Sequence, residues 1–307
     1  RENHPEAAGL AAPGRPMGSP AERIFEQVRR AADAASRRAA LDTFITATDD
    51  WTRSAVIAGA TDQATDFVLA ALRDPRPGAL TAFVAGVLPS ALPAGAGPLL
   101  EACAASTPAA RDVTTLILRS LAGLKTAPAL DAGSLAALRI LLDRPDTAIA
   151  ALPLAVLWDR SGSLSVRAES LTQSLLVRFA ASTTADAERL AIATSLLALP
   201  ARRSDALVRV EALLVDPATP ASLVTPLIAT LGQVNSDEVG ASLISIWGRT
   251  RTAAVLDQIL KRPEFTQALL AALKAGRVAA TALSPGDAAR LRTHPNRAVA
   301  REATTLL

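Results

Sequence analysis

The 307-residue chain has no tyrosine, one cysteine, one methionine and two histidines, and only 3% of it is aromatic. Each scarcity excludes something. The single Cys103 cannot close an internal disulfide or build a multi-cysteine zinc site. It stands in Glu101-Ala102-Cys103-Ala104-Ala105, which is no Cys-x-x-Cys-His haem-attachment pattern and supplies no histidine to activate a thiolate. A small buried core residue is the expectation there. His4 falls in a proline-rich stretch, and His294 precedes Pro295 at a turn, where its ring is expected to cap a neighbouring carbonyl. Two isolated histidines with no second ligand nearby exclude most histidine-based metal or haem sites. Scarce aromatics argue against a sheet core, which needs them together with β-branched residues.

Lysine is almost missing as well: Lys125, Lys261 and Lys274 are all there are. Basic residues number 32 against 29 acidic ones, so the pI of 9.7 rests on a net charge of only +3. That is a scattered surplus, whereas a nucleic-acid binder gathers its charge in a stripe. No apolar run reaches the roughly 18–20 residues of a membrane span, although mean hydropathy is +0.27, so no span is expected. No signal-peptide pattern is visible, and the chain reads as a piece of something longer. Gly95-Ala96-Gly97 lacks the Lys-Ser/Thr of a P-loop and the third glycine of a dinucleotide fingerprint. The run from Asp159 to Ser163 has no nucleophile elbow and reads as a turn with a serine N-cap. No catalytic, cofactor or metal residues emerge in this chain.

What is present is alanine and leucine at helical spacing. Half the chain is hydrophobic, and those two residues favour close helix-on-helix packing. Residues 49–75 read as a helix, a break and a second helix, closed by Asp74-Pro75. Trp51, Ala55, Val56 and Ala58 are the expected apolar side of the first helix, and Phe67, Val68, Ala71 and Leu72 that of the second. Ser19-Pro20-Ala21-Glu22 is a helix start with a capping box. Val113, Leu116, Ile117, Leu121 and Leu124 recur at three- and four-residue spacing, as do Leu135, Leu138 and Leu142. Further helices read near 146–158, 163–181, 185–199, 203–214, 219–232, 236–249, 252–261, 264–275, 284–292 and 296–307. Breaks at Pro75, Pro108, Pro145, Pro217, Pro263 and Pro295 fall near one or two units of about 35 residues, the scale of helical-hairpin repeats. The fold expected is all-α: a HEAT-like α-solenoid of stacked antiparallel helix pairs, with a compact helical bundle as the competitor. Residues 1–19 read as a flexible linker, 20–307 as the solenoid, and 263–307 as its terminal helical segment.

For such a protein the candidate sites are interaction residues. Arg30, Arg37, Arg202 and Arg203 are the best basic-patch candidates, weighed against a solvated face beside Glu22, Glu26 and Asp33. Arg30 and Arg37 lie two turns apart if one helix carries both. Trp51, Trp158 and Trp247 fit as core anchors, or as binding hot spots if they face outward.

The C-terminal stretch carries a resemblance. Leu269 to Gly276, Leu283-Ser284-Pro285, Leu291, His294-Pro295 and Ala298 to Leu307 resemble a segment of large multidomain proteins of planctomycetes and verrucomicrobia. Asp50-Trp51-Thr52-Arg53-Ser54-Ala55-Val56 is similar to the HEAT region of the same family. Those proteins join a sorbosone-dehydrogenase-like β-propeller, a HEAT-repeat region and a C-terminal c-type haem domain. The resemblance implies a non-catalytic scaffold between propeller and haem domain, in an exported, periplasmic parent, with haem c in a downstream domain. Its partners would be the flanking domains or another protein. A nucleic-acid-binding HEAT-like protein with an arginine-lined concave face, and a stand-alone protein adaptor, are the alternatives.

Overall fold

A computed structural model describes residues 19–307. The expected linker at 1–19, apart from Ser19, and His4 lie outside the described residues. Those described form eighteen α-helices joined by short turns, and no strand. Contacts gather them into two compact units, one ending at Leu121 and one running from Ala122 to Leu307. The boundary falls just before a stretch with no helix, residues 123–131, which includes Gly123 and Pro128.

The first unit contains α1 (Pro20–Arg29), α2 (Ala34–Thr46), α3 (Asp50–Ala60), α4 (Ala64–Arg73), α5 (Thr81–Ala91) and α6 (Ala96–Ala105). It ends within α7 (Arg111–Ala122). The expected box at α1 is formed: Ser19 N–H donates to Glu22 Oε2 at 2.6 Å, and Glu22 N–H to Ser19 Oγ at 3.3 Å. Helices α1, α3 and α5 pack in succession, as do α2, α4 and α6, and α2–α3 and α4–α5 join the two rows. Between them Phe83 meets Phe44 and Phe67 edge-on, with centroids 5.4 and 6.0 Å apart. Phe67 and Phe83 are wholly buried, and each such side chain contributes about 1.5–3 kcal/mol of burial. The helical run Asp50–Arg73 is apolar and long enough to cross a membrane by length and composition alone, where no such run is expected. It is interrupted by a 3-10 turn at Thr61–Gln63, and half of its apolar window is buried inside the unit.

Three local expectations are corrected. Trp51 is 80% exposed, and α3 buries Ala55, Val56, Gly59 and Ala60 instead of Trp51 and Ala58. Side chains on a helix lean towards its N-terminus, so Trp51, at the second position of α3, leans off the packed face. Arg30 and Arg37 do not share a helix, because α1 ends at Arg29 and Asp33 caps a new one. Leu124 lies beyond α7, whose buried face is completed by Thr114 and Leu118.

The second unit contains α8 (Ala132–Asp143), α9 (Ala148–Trp158), α10 (Ser165–Ala180), α11 (Asp186–Leu197), α12 (Arg203–Val215) and α13 (Ala221–Gln233). It continues through α14 (Asp237–Thr250), α15 (Ala253–Leu260), α16 (Pro263–Lys274), α17 (Pro285–Arg292) and α18 (Arg297–Leu306). Here α9, α11, α13 and α15 pack in succession, and so do α10, α12, α14, α16 and α18. Trp158 and Trp247 are buried anchors of α9 and α14, and Cys103 of the first unit is likewise fully buried.

Candidate functional site

Helix α8 does not continue the row that begins at α10. Both pack on α9, and between them opens a groove of about 890 Å³. The turn that follows Trp158 contributes Ser163 and Leu164 to its lining. Asp159 accepts the Ser161 N–H at 3.0 Å on one oxygen and the Leu164 N–H at 2.6 Å on the other. Gly162 takes a φ of +72°, a conformation that side-chain-bearing residues avoid. The expected serine N-cap is therefore not the organising residue: Leu164 holds the N-cap position of α10 without a side-chain bond, and the carboxylate of Asp159 ties the loop. Burial would raise the pKa of Asp159, but the hydrogen bonds from Ser161, Leu164 and Ser163 together outweigh it and lower the value.

Helix α10 buries Ala168, Thr172, Leu175, Leu176 and Phe179. Its other side carries Val166 and Val177, 83% and 72% exposed. Ser170 and Ser174 fall between them on the same helical face. From α8 come Leu135, Ala136 and Arg139. Leu135, expected to share a buried stripe with Leu138 and Leu142, is only half-buried, and Leu141 takes its place in the core. Ser163, Leu164, Arg167 and Leu171 complete the wall on the α10 side. Arg167 ion-pairs with Asp143 and ties α10 back to α8 at one point. A smaller crevice near Asp257 and Arg290, about 420 Å³, is held by the ion pair of those two residues at 2.7 Å.

The arginines singled out in the sequence are engaged within the protein. Arg30 meets Glu26 at 3.3 Å, and Arg37 binds Asp66 at 2.8 Å and Gln63 at 3.1 Å. Arg202 pairs with Glu169, and Arg203 Nε donates to the Leu197 carbonyl at 3.0 Å. Trp247 lies under the Arg251 guanidinium, 4.9 Å from the ring centre, so it serves packing and not an open surface. Trp51 alone of the three tryptophans is outward. Among the described residues no three histidine, cysteine, aspartate or glutamate side chains gather into a group that could hold a metal ion. The groove escaped the sequence reading, although a signal existed. The longest helix, α10, sets serines and exposed valines on one face, where a fully packed helix would continue its apolar stripe. No protein-family model matches this chain, and no curated protein matches it.

Proposed function

We propose that each unit is a run of HEAT-type helical repeats, an α-solenoid, and that the chain is a non-catalytic scaffold whose surfaces hold other protein segments. The observation that carries this is a reach of about one repeat. Gln63 donates to the Arg29 carbonyl, 34 residues back; Arg262 to the Gly232 carbonyl, 30 back; and His294 bonds the Leu260 carbonyl, 34 back. Ion pairs keep the same interval, with Arg202–Glu169 and Arg290–Asp257 each 33 residues apart. Side chains that close helix ends one unit earlier support a stack in which every repeat is completed by its neighbour.

The resemblance of the stretch from Leu269 to Leu307 supports a position in a larger exported protein, between a dehydrogenase-like propeller and a c-type haem domain. The haem would belong to that downstream domain, and the partners would be the flanking domains or another protein. The test is a reduced-minus-oxidised absorption spectrum of the full-length gene product beside the 307-residue chain. A c-type haem signal in the former and none in the latter is expected. A full-length product without haem would remove the electron-transfer placement and leave an adaptor.

A further inference from the structure

We propose that the groove between α8 and α10 docks an amphipathic helix whose apolar stripe is flanked by carboxylates. The row α10–α12–α14–α16–α18 shows what this protein does with such a face: it covers it with another helix. Both α8 and α10 pack on α9, and the groove separates them from each other. One face of α10 is left uncovered, about 24 Å long at 1.5 Å per residue over its 16 residues. Val166 and Val177 stand exposed along this face, and Val166 lines the groove together with the half-buried Leu135 and Leu171. This is the shape and apolar content that helix-in-groove recognition uses.

Charge selects the occupant. The lining includes two guanidiniums, Arg139 and Arg167, and three serine hydroxyls, but no carboxylate. Arg167 is shared with Asp143, whereas Arg139 is exposed. A partner with glutamates or aspartates beside its apolar stripe complements this lining, and one with lysines is repelled. Single-stranded nucleic acid is the other polyanion to consider. It binds by stacking bases on aromatic side chains, and none lines the groove.

The proposal rests on the scaffold reading only in taking the chain as a binding module, and not on the placement beside a haem domain. The test is fluorescence anisotropy with three synthetic helical peptides of about 16 residues that share one Leu/Ala stripe and carry Glu, Gln or Lys beside it. The Glu peptide is expected to bind at least about tenfold more tightly than the Gln peptide, and the Lys peptide not at all. Arg139→Glu should reverse that order. Ser170→Trp, which fills the groove from an exposed position, should abolish binding while the thermal melt stays unchanged. Failure of all three peptides, equal binding by them, or binding that survives both substitutions overturns the proposal. So does oligothymidine competing for the groove, or self-association in sedimentation that Ser170→Trp removes; these would assign the groove to nucleic acid or to a second copy. A haem-free full-length product that still binds the Glu peptide would sink the redox placement alone. A haem signal without peptide binding would sink the groove proposal alone.

Discussion

His294 Nε2 lies 3.0 Å from the Leu260 carbonyl oxygen, while its Nδ1 accepts the Asn296 N–H, also at 3.0 Å. With Nδ1 accepting, Nε2 carries the proton and donates. One ring therefore closes the last carbonyl of α15 and braces the turn that opens α18. His294→Ala leaves both groups without a protein partner, and should cost the second unit about 1–3 kcal/mol. Urea denaturation followed by circular dichroism measures it. A variant within experimental error of the parent would show that water replaces the ring at no cost.

Gly59 of α3 lies against α1. A Cβ there would stand 2.7 Å from the Phe25 carbonyl oxygen and 2.9 Å from Val28 Cβ. Backbone cannot yield as a flexible side chain can, so Gly59→Ala should destabilise the first unit by about 1–3 kcal/mol. Gly248, inside α14, faces open space. There Gly248→Ala should stabilise, by up to about 1 kcal/mol, because alanine loses less backbone freedom in a helix. The same sign for both substitutions would refute the packing argument.

The start of α1 was legible in the sequence, and the reason is chemical. Ser19 and Glu22 form a reciprocal capping box. Such bonds depend on residues three apart, so they can be read without knowing the tertiary structure. The positions of Trp51 and of the groove depend on which helices meet. Trp51 shares the helical period of Ala55, yet it sits on the first turn of α3 and stays exposed. The serines of α10 read as an ordinary solvated face. Only the distance of α8 turns that face into the wall of a groove. The partners of two singled-out arginines were hidden for a related reason: Asp66 for Arg37 and Glu169 for Arg202 come from other helices, 29 and 33 residues away.

The tryptophans separate two kinds of contribution. Trp158 is 3% exposed and Trp51 80% exposed. Trp158→Ala should cost about 3–5 kcal/mol through the cavity it leaves. Trp51→Ala should change stability by no more than about 0.5 kcal/mol, as surface substitutions do. Thermal melts of the two variants decide this, and a destabilised Trp51 variant would mean that the side chain packs in solution.

Acid should weaken the fold through its helix caps. Asp33, Asp49 and Asp131 accept backbone N–H bonds from Ser36, Thr52 and Ser134 at the starts of α2, α3 and α8. Those bonds are the main reason each pKa is lowered from the ordinary value of 3.8. A carboxyl held lower in the folded protein than in the unfolded chain stabilises fully above the unfolded value, and that stability is lost as pH falls through the folded value. The caps thus act in full at neutral pH and fail below pH 3.8. Urea midpoints should decline over that acid range. In a triple Asp33→Asn, Asp49→Asn, Asp131→Asn variant the decline should be shallower, because asparagine still caps a helix but does not titrate there. Parallel declines in the two proteins would place the acid sensitivity elsewhere, in ion pairs such as Arg37–Asp66.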